Sequence, residues 1–176
     1  LIFENHIKGS EKKYDFSFAC HGKMGSNTEG FHDSQMFFRE GIPIWDACNE
    51  ETRRFHSIGE DEHRMMFYES TRGIEAWTFV CLEYDLWLEE MVTPRAQREY
   101  KESIKQLDLN IFEEGGLDPE KKAINKIIAR WAMIPLTRAV STNVIQIKSR
   151  QSKYGKLIFS ALEKIPKENY EILSSK

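Results

Sequence analysis

Residues 64–82 read Arg-Met-Met-Phe-Tyr-Glu-Ser-Thr-Arg-Gly-Ile-Glu-Ala-Trp-Thr-Phe-Val-Cys-Leu. Two apolar runs, Arg64 to Tyr68 and Ala76 to Leu82, flank the polar, glycine-containing segment 69–75. A short run that is apolar at nearly every position, bounded by turn residues, fits a strand buried on both faces. Strands of that kind are characteristic of parallel α/β sheets covered on both sides. The spacing therefore predicts two central strands separated by the segment 69–75.

Working outward, Tyr14 to Cys20 alternates aromatic and small residues and reads as a further strand. Residues 21–30 hold three glycines with Ser26 and Asn27 and read as a loop. Asp33 or Ser34 can cap a short helix through Arg39, and Gly41 ends it. Ile42 to Asp46 is then a second strand, with Pro43 tolerable only near its start. Residues 49–62 are polar and acidic, reading as loop with some helix. Pro94 is expected at the first turn of a helix with Ala96, Tyr100, Ile104 and Leu107 on one face, stopped by Gly115-Gly116. Asp118-Pro119-Glu120 starts another helix, placing Ala123, Ile124, Ile127, Ile128 and Trp131 inward, with Pro135 ending or kinking it. Asn143 to Ile147 is expected as a strand and Tyr154 to Leu162 as a last helix before Pro166. Strands alternate with helices and nothing repeats, so one α/β domain with a mainly parallel sheet is predicted.

The chain has 176 residues, 40% of them hydrophobic and 30% charged, a composition that excludes a disordered or collagen-like polymer. No stretch is long and apolar enough to span a bilayer. The N-terminus begins at Leu1 without a secretory pattern, so an excised piece of a longer, cytoplasmic protein is expected. Cys20, Cys48 and Cys81 sit beside apolar residues at wide spacings, the pattern of free thiols in a reducing compartment. The formal net charge of −3 conceals an asymmetry: residues 1–116 carry 13 Lys/Arg and 23 Asp/Glu, whereas 117–176 carry 12 and 5. Between Lys121 and Lys156 nine basic residues occur with no acid. Such segregation fits a surface facing a polyanion, or equally a basic face that pairs with the acidic half of the same domain.

Gly25 to Gly30 has the glycine spacing of a phosphate-binding loop, but Phe31 and His32 occupy the positions that need Lys and Ser/Thr. Without the ammonium on the β/γ-phosphates and the hydroxyl on Mg²⁺, nucleotide hydrolysis by that route is excluded for this chain alone. The histidines His6, His21, His32, His56 and His63 lack metal-ligand spacing, and no metal site is expected. The carboxylates of the acidic half show no distinguishing arrangement and read as solvated surface.

Two segments together are more specific. The first is the opening stretch, residues 64–82. The second is Ile128-Ala-Arg-Trp-Ala-Met-Ile-Pro-Leu-Thr-Arg-Ala-Val-Ser-Thr-Asn-Val-Ile-Gln-Ile147. The first resembles motif V of UvrD/Rep-type superfamily 1 helicases, in which a strand runs into "h-[ST]-x-[KR]-G-L-E" and on into a second apolar strand. The second resembles motif VI, a helix running into "v-A-L-T-R-A" and then a strand. Phe37-Phe-Arg-Glu-Gly-Ile-Pro-Ile44 is similar to the strand entry upstream of motif V. The resemblance spans roughly residues 14–165, with about thirty positions carrying it. Glu69 stands where the family commonly has His, Pro135 where it has a small residue, and motif IV has no counterpart.

The resemblance implies the C-terminal, three-layer RecA-like domain of a P-loop NTPase-type DNA helicase or translocase, lacking its own phosphate loop. Residues 1–13 would be an extension, 14–165 the domain with a small insertion at about 85–117, and 166–176 a tail. ATP and Mg²⁺ would be bound mainly by an N-terminal RecA-like domain of the same chain. Arg138 would reach across the cleft as an arginine finger, stabilising γ-phosphoryl charge in the transition state, an effect worth ~10³–10⁵ in rate. Glu75 would accept from the ribose hydroxyls, Gly73 would allow close backbone approach, and Arg72 would sit at the cleft. Ser70, Thr71 and Glu69 would border the track of single-stranded DNA, with RNA the alternative polymer. Two rivals from other classes remain: a nucleic-acid-binding module with no ATPase role, and a protein-interaction domain.

Overall fold

The structure is a computed structural model describing residues 16–21, 41–42, 44–48, 50–54, 63–107 and 119–173. The strands are β1 (Phe16–Cys20), β2 (Ile44–Asp46), β3 (His63–Phe67), β4 (Ala76–Cys81) and β5 (Ala139–Ile145). They form one five-stranded sheet in the order β2-β3-β1-β4-β5, and every pairing is parallel. The expected parallel α/β architecture is thus observed, with the predicted strand positions at 16–20, 44–46, 63–67 and 76–81. The expected helix through Arg39, the loop 22–30 and the Ser174–Lys176 tail lie outside the described residues.

The sheet divides two apolar clusters. One face buries Phe16, Phe18, Cys20, Ile44, Met65 and Val80. The other buries Ala19, Tyr68, Phe79, Cys81, Tyr84, Trp87 and Ile128 beneath the helices that link β4 to β5. At its centre Tyr68 stacks on Trp87, with ring centroids 4.1 Å apart and planes 19° from parallel. Both side chains are almost fully buried. Full burial of an aromatic of this size contributes roughly 2–3 kcal/mol, and the stacking adds about 0.5–1.5 kcal/mol. The Tyr68 hydroxyl is satisfied by donating to the Leu82 carbonyl at 2.8 Å.

The helix expected to open at Pro94 begins earlier. α2 (Tyr84–Trp87) passes through a π-helical turn (Leu88–Val92) into α3 (Thr93–Leu107), so Pro94 lies inside a continuous helical run from 84 to 107. Proline removes one backbone donor and its ring crowds the preceding turn. The wider π turn accommodates it: Thr93 donates its backbone N–H to Leu88 O, and its hydroxyl donates to the same carbonyl at 2.7 Å. The Thr93 hydroxyl also contacts the Tyr154 hydroxyl. α4 (Pro119–Leu136) starts as Pro119 predicts and ends one residue after Pro135. β5 runs earlier than expected, at Ala139–Ile145 rather than 143–147, because it pairs with β4 from Ala76↔Ala139 onward. α5 (Lys153–Leu162) follows. A five-residue α1 (Glu50–Arg54) occupies part of the polar stretch after β2.

One carboxylate corrects the expectation of solvated acids. Asp85 is completely buried and accepts from Lys148 N (2.8 Å), Ser149 N (3.2 Å) and Ser152 Oγ (2.9 Å). Those donors pin the loop after β5 to the start of α2. Ser152 also caps α5 by accepting from Gly155 N, and a Cβ at Gly155 would lie 2.1 Å from Ser149 O. The glycine is therefore required by space at that corner. Tyr84, which precedes Asp85, donates its hydroxyl to Ala132 O at 2.7 Å, joining the start of α2 to α4.

Two stability predictions follow from this core. Asp85→Ala orphans the Lys148 and Ser149 N–H donors, while the Ser152 hydroxyl keeps Ser149 O, and is expected to cost about 2–4 kcal/mol, read from urea unfolding midpoints. The second concerns alkali. Burial pushes the Cys81 thiol up to about 12 from an ordinary 9.0. Burial likewise raises the Tyr68 and Tyr84 phenols above their usual range. Raised acids keep their protons in the folded state longer than in the unfolded state. Their contribution is complete below pH 9.0 and is lost as the pH climbs towards about 12. The urea midpoint should therefore fall steadily above pH 9.0, with no such fall just below it.

Candidate functional site

The segment singled out in the sequence is the connection from β3 to β4. Because both strands run parallel on either side of β1, residues 68–75 must travel from the carboxyl end of β3 back to the amino end of β4. A 3₁₀ turn (Tyr68–Thr71) makes the first part of that journey, with Ile74 N donating to Thr71 O at 3.1 Å beyond it. Gly73 then takes φ +77°, a left-handed conformation that a side chain would strain, although the space around it is open. Glu75 is exposed at the amino end of β4.

Arg138 lies beside this segment. It directly precedes β5, and its carbonyl accepts from Ala76 N at 3.1 Å, so the backbones of the two sequence motifs meet. One residue further on, the β4–β5 register shifts: Val140 and Ser141 face the single residue Trp77. Such a bulge re-aims side chains at a sheet edge. The Arg138 side chain is half-buried, donating from Nε to Ile134 O (3.1 Å) and from Nη2 to Thr137 Oγ1 (3.0 Å). It thereby caps the last turn of α4, where a cation is favoured by the exposed carbonyls. Two of its five guanidinium N–H donors suffice for those contacts.

Arg72 lies with its guanidinium carbon 4.9 Å from the Trp131 ring centroid. Arg95 stacks on the same ring at 3.8 Å. Trp131 Nε1 donates to Glu99 Oε1 at 3.0 Å, and Glu99 also pairs with Arg95 and Arg130, each at 3.4 Å. The result is a compact cluster joining the motif loop, α3 and α4. Sequence reading placed Trp131 in the core and missed its partners. The Arg95/Glu99 spacing of four on a helix was the available signal.

The expected site residues are therefore distributed as follows. Arg72, Gly73, Glu75 and Arg138 come together at the amino ends of β4 and β5. Glu69 and Ser70 are exposed on the 3₁₀ turn, nearer the carboxyl end of β3. Thr71 is fully buried and donates its hydroxyl to Tyr68 O at 2.8 Å, so that group holds the turn together. A cavity of about 320 Å³ beside Glu69 is lined by Met91, Arg95, Arg98, Glu99 and Glu102, a mixed-charge surface.

The acid-free stretch is exposed at Lys122, Lys126 and Arg130, which follow one another at four-residue intervals along α4. Part of the basic half also pairs with the acidic half: Arg130 with Glu99, and Lys148 with Glu83 at 3.3 Å. Glu83, at φ 45°, stands 3.5 Å from the buried His21 imidazole. His63 is buried against the Phe16 and Phe18 rings. Among the described residues no group of three or more His, Cys, Asp and Glu side chains could hold a metal ion. None of their helices is long and apolar enough to cross a membrane. The glycine loop 25–30 and His6, His32 and His56 lie outside the described residues.

No protein-family model, curated protein or solved structure matches this chain.

Trp131→Ala removes the surface under both guanidinium groups together with a large packed ring, and should destabilise the domain by about 3–5 kcal/mol. Trp131→Phe keeps a stacking face while losing the bond to Glu99, for a loss of about 1 kcal/mol. Thermal unfolding of the two variants side by side measures the difference.

Proposed function

We propose that this chain is the second RecA-like domain of a superfamily 1-type helicase or translocase, working on ATP held mainly by a partner domain that carries the phosphate loop. The carrying observation is the hydrogen bond from Ala76 N to Arg138 O, which sets the Gly73–Glu75 loop and the Arg138 turn side by side on one edge. An arginine and a carboxylate on neighbouring turns match the two demands of a nucleotide at a domain cleft: a cation for phosphoryl charge and an acceptor for sugar hydroxyls.

The mechanism assigned to these residues is positional. ATP and Mg²⁺ supply the reactive phosphoryl group and its counter-charge when bound at the partner domain. Arg138 is anchored by Ile134 O and Thr137 Oγ1, and its remaining N–H donors would be the ones to meet γ-phosphoryl oxygens. Glu75 would accept from the ribose, and Gly73 would let the loop backbone approach without a side chain. Arg72, seated on Trp131, adds positive potential near the cleft. Ser70 and Glu69 border the single-stranded DNA track, while Thr71 supports the turn from beneath.

A second reading is favoured by the Lys122-Lys126-Arg130 stripe on α4: binding of nucleic-acid phosphates with no part in ATP turnover. Arg138 would then serve as the cap of α4 alone.

The deciding experiment is Arg138→Ala in the full-length protein. The expected result is a fall in ATP turnover of about 10³-fold or more with nucleotide affinity nearly unchanged. Wild-type turnover in that variant would overturn the proposal. Steeply salt-dependent strand binding, unaffected by nucleotide, would then favour the second reading.

A further inference from the structure

The Cys20 and Cys48 thiols lie 3.4 Å apart, although 27 residues separate them in the chain. Cys20 ends β1, near the middle of the sheet. Cys48 stands two residues beyond β2, at its margin, and β3 runs between those two strands. Cys20 is fully buried and its sulfur lies 3.6 Å from Met66 O, whereas Cys48 is only half-buried. The arrangement satisfies both thiols: Cys48 donates to Cys20 Sγ, and Cys20 donates to the Met66 carbonyl. Cys81 is buried in the cluster on the opposite face of the sheet from Cys20. Of the three cysteines, one pair alone is in reach.

From this geometry we propose that Cys20 and Cys48 form a dithiol modification site that closes to an intramolecular disulfide by exchange with small disulfides of the oxidised-glutathione class. The site is independent of the nucleotide-facing edge and of any helicase activity. In the first step the Cys48 thiolate attacks one sulfur of RSSR, forming Cys48–SR and releasing RS⁻. In the second the Cys20 thiolate attacks Cys48 Sγ, forming the Cys20–Cys48 bond and expelling the second RS⁻. Two cysteine thiols are oxidised, one small disulfide is reduced to two thiols, and the two cysteine protons are taken up by the departing thiolates. The order is set by access, since the half-exposed sulfur meets the reagent and the buried one resolves it.

The contact with Cys20, together with burial, pushes the Cys48 thiol upward, so little thiolate is present at neutral pH. Exchange is accordingly slow and quickens as the pH rises. Once formed, the bond closes residues 20–48 into a covalent ring and fastens the β2 margin to the centre of the sheet.

The test uses the wild-type chain in mixtures of reduced and oxidised glutathione, quenched by alkylation and read by intact mass and peptide mapping. The expected product has lost two hydrogen atoms, carries a Cys20–Cys48 linked peptide, keeps Cys81 as a thiol and is restored by dithiothreitol. Cys48→Ser, at the half-buried position, should form no ring while retaining the native circular dichroism spectrum. The chain unfolded in urea serves as the reactivity control. A stable Cys48–glutathione adduct without ring closure, a link to Cys81, or an inert folded chain beside an oxidisable unfolded one would each overturn the proposal.

Discussion

Eight residues, 68–75, must carry the chain from the carboxyl end of β3 to the amino end of β4 while stepping over β1. Parallel neighbours are usually joined by a crossover of a dozen residues or more. Fully extended, eight residues reach about 26–29 Å, the 3₁₀ turn shortens that reach to roughly 21 Å, and one strand length with two inter-strand steps sideways spans a diagonal of roughly 20 Å. That shortage of chain governs the region around it. Tyr68 turns inward at once, onto Trp87; Thr71 gives its hydroxyl to the turn; and Gly73 takes the one conformation that redirects the backbone towards β4. Glu69, Ser70, Arg72, Gly73 and Glu75 are the exposed residues of this link.

The same tightness explains why a structural and a functional account of these residues coincide. A link so short needs a glycine and polar turn residues whatever its task, and Arg138 has a sufficient local role as the cap of α4. What the local account does not require is an exposed carboxylate and an anchored arginine on adjacent turns joined by a backbone bond. The charge segregation has a similarly divided explanation. Arg130 and Lys148 reach back to Glu99 and Glu83, while Lys122 and Lys126 stand on the outer side of α4.

The sheet was legible because its signal is additive: each buried strand is a run of apolar residues that periodicity exposes, and parallel pairing follows from burial on both faces. The helix start at Tyr84 was not, since Pro94 reads as a first-turn residue, whereas the π turn before it lets the helix begin ten residues earlier. Nor was Asp85, whose environment is made by donors more than sixty residues away, at Lys148, Ser149 and Ser152. In the candidate site, Arg72, Gly73, Glu75 and Arg138 were singled out only through the resemblance to the two helicase motifs. Their meeting on one edge, and the seating of Arg72 on Trp131, depend on tertiary contacts that a linear pattern does not contain.

The strand order also bears on how the chain acquires its shape during synthesis. β1 lies at the centre of the sheet, yet its partners are residues 64–67 and 78–81, and β2 pairs with β3. A nascent chain has therefore released β1 and β2 well before either can find a neighbour. Their apolar faces stay unpaired until β3 and β4 have been made, so the first part of the sheet to be synthesised is completed only by strands that come later.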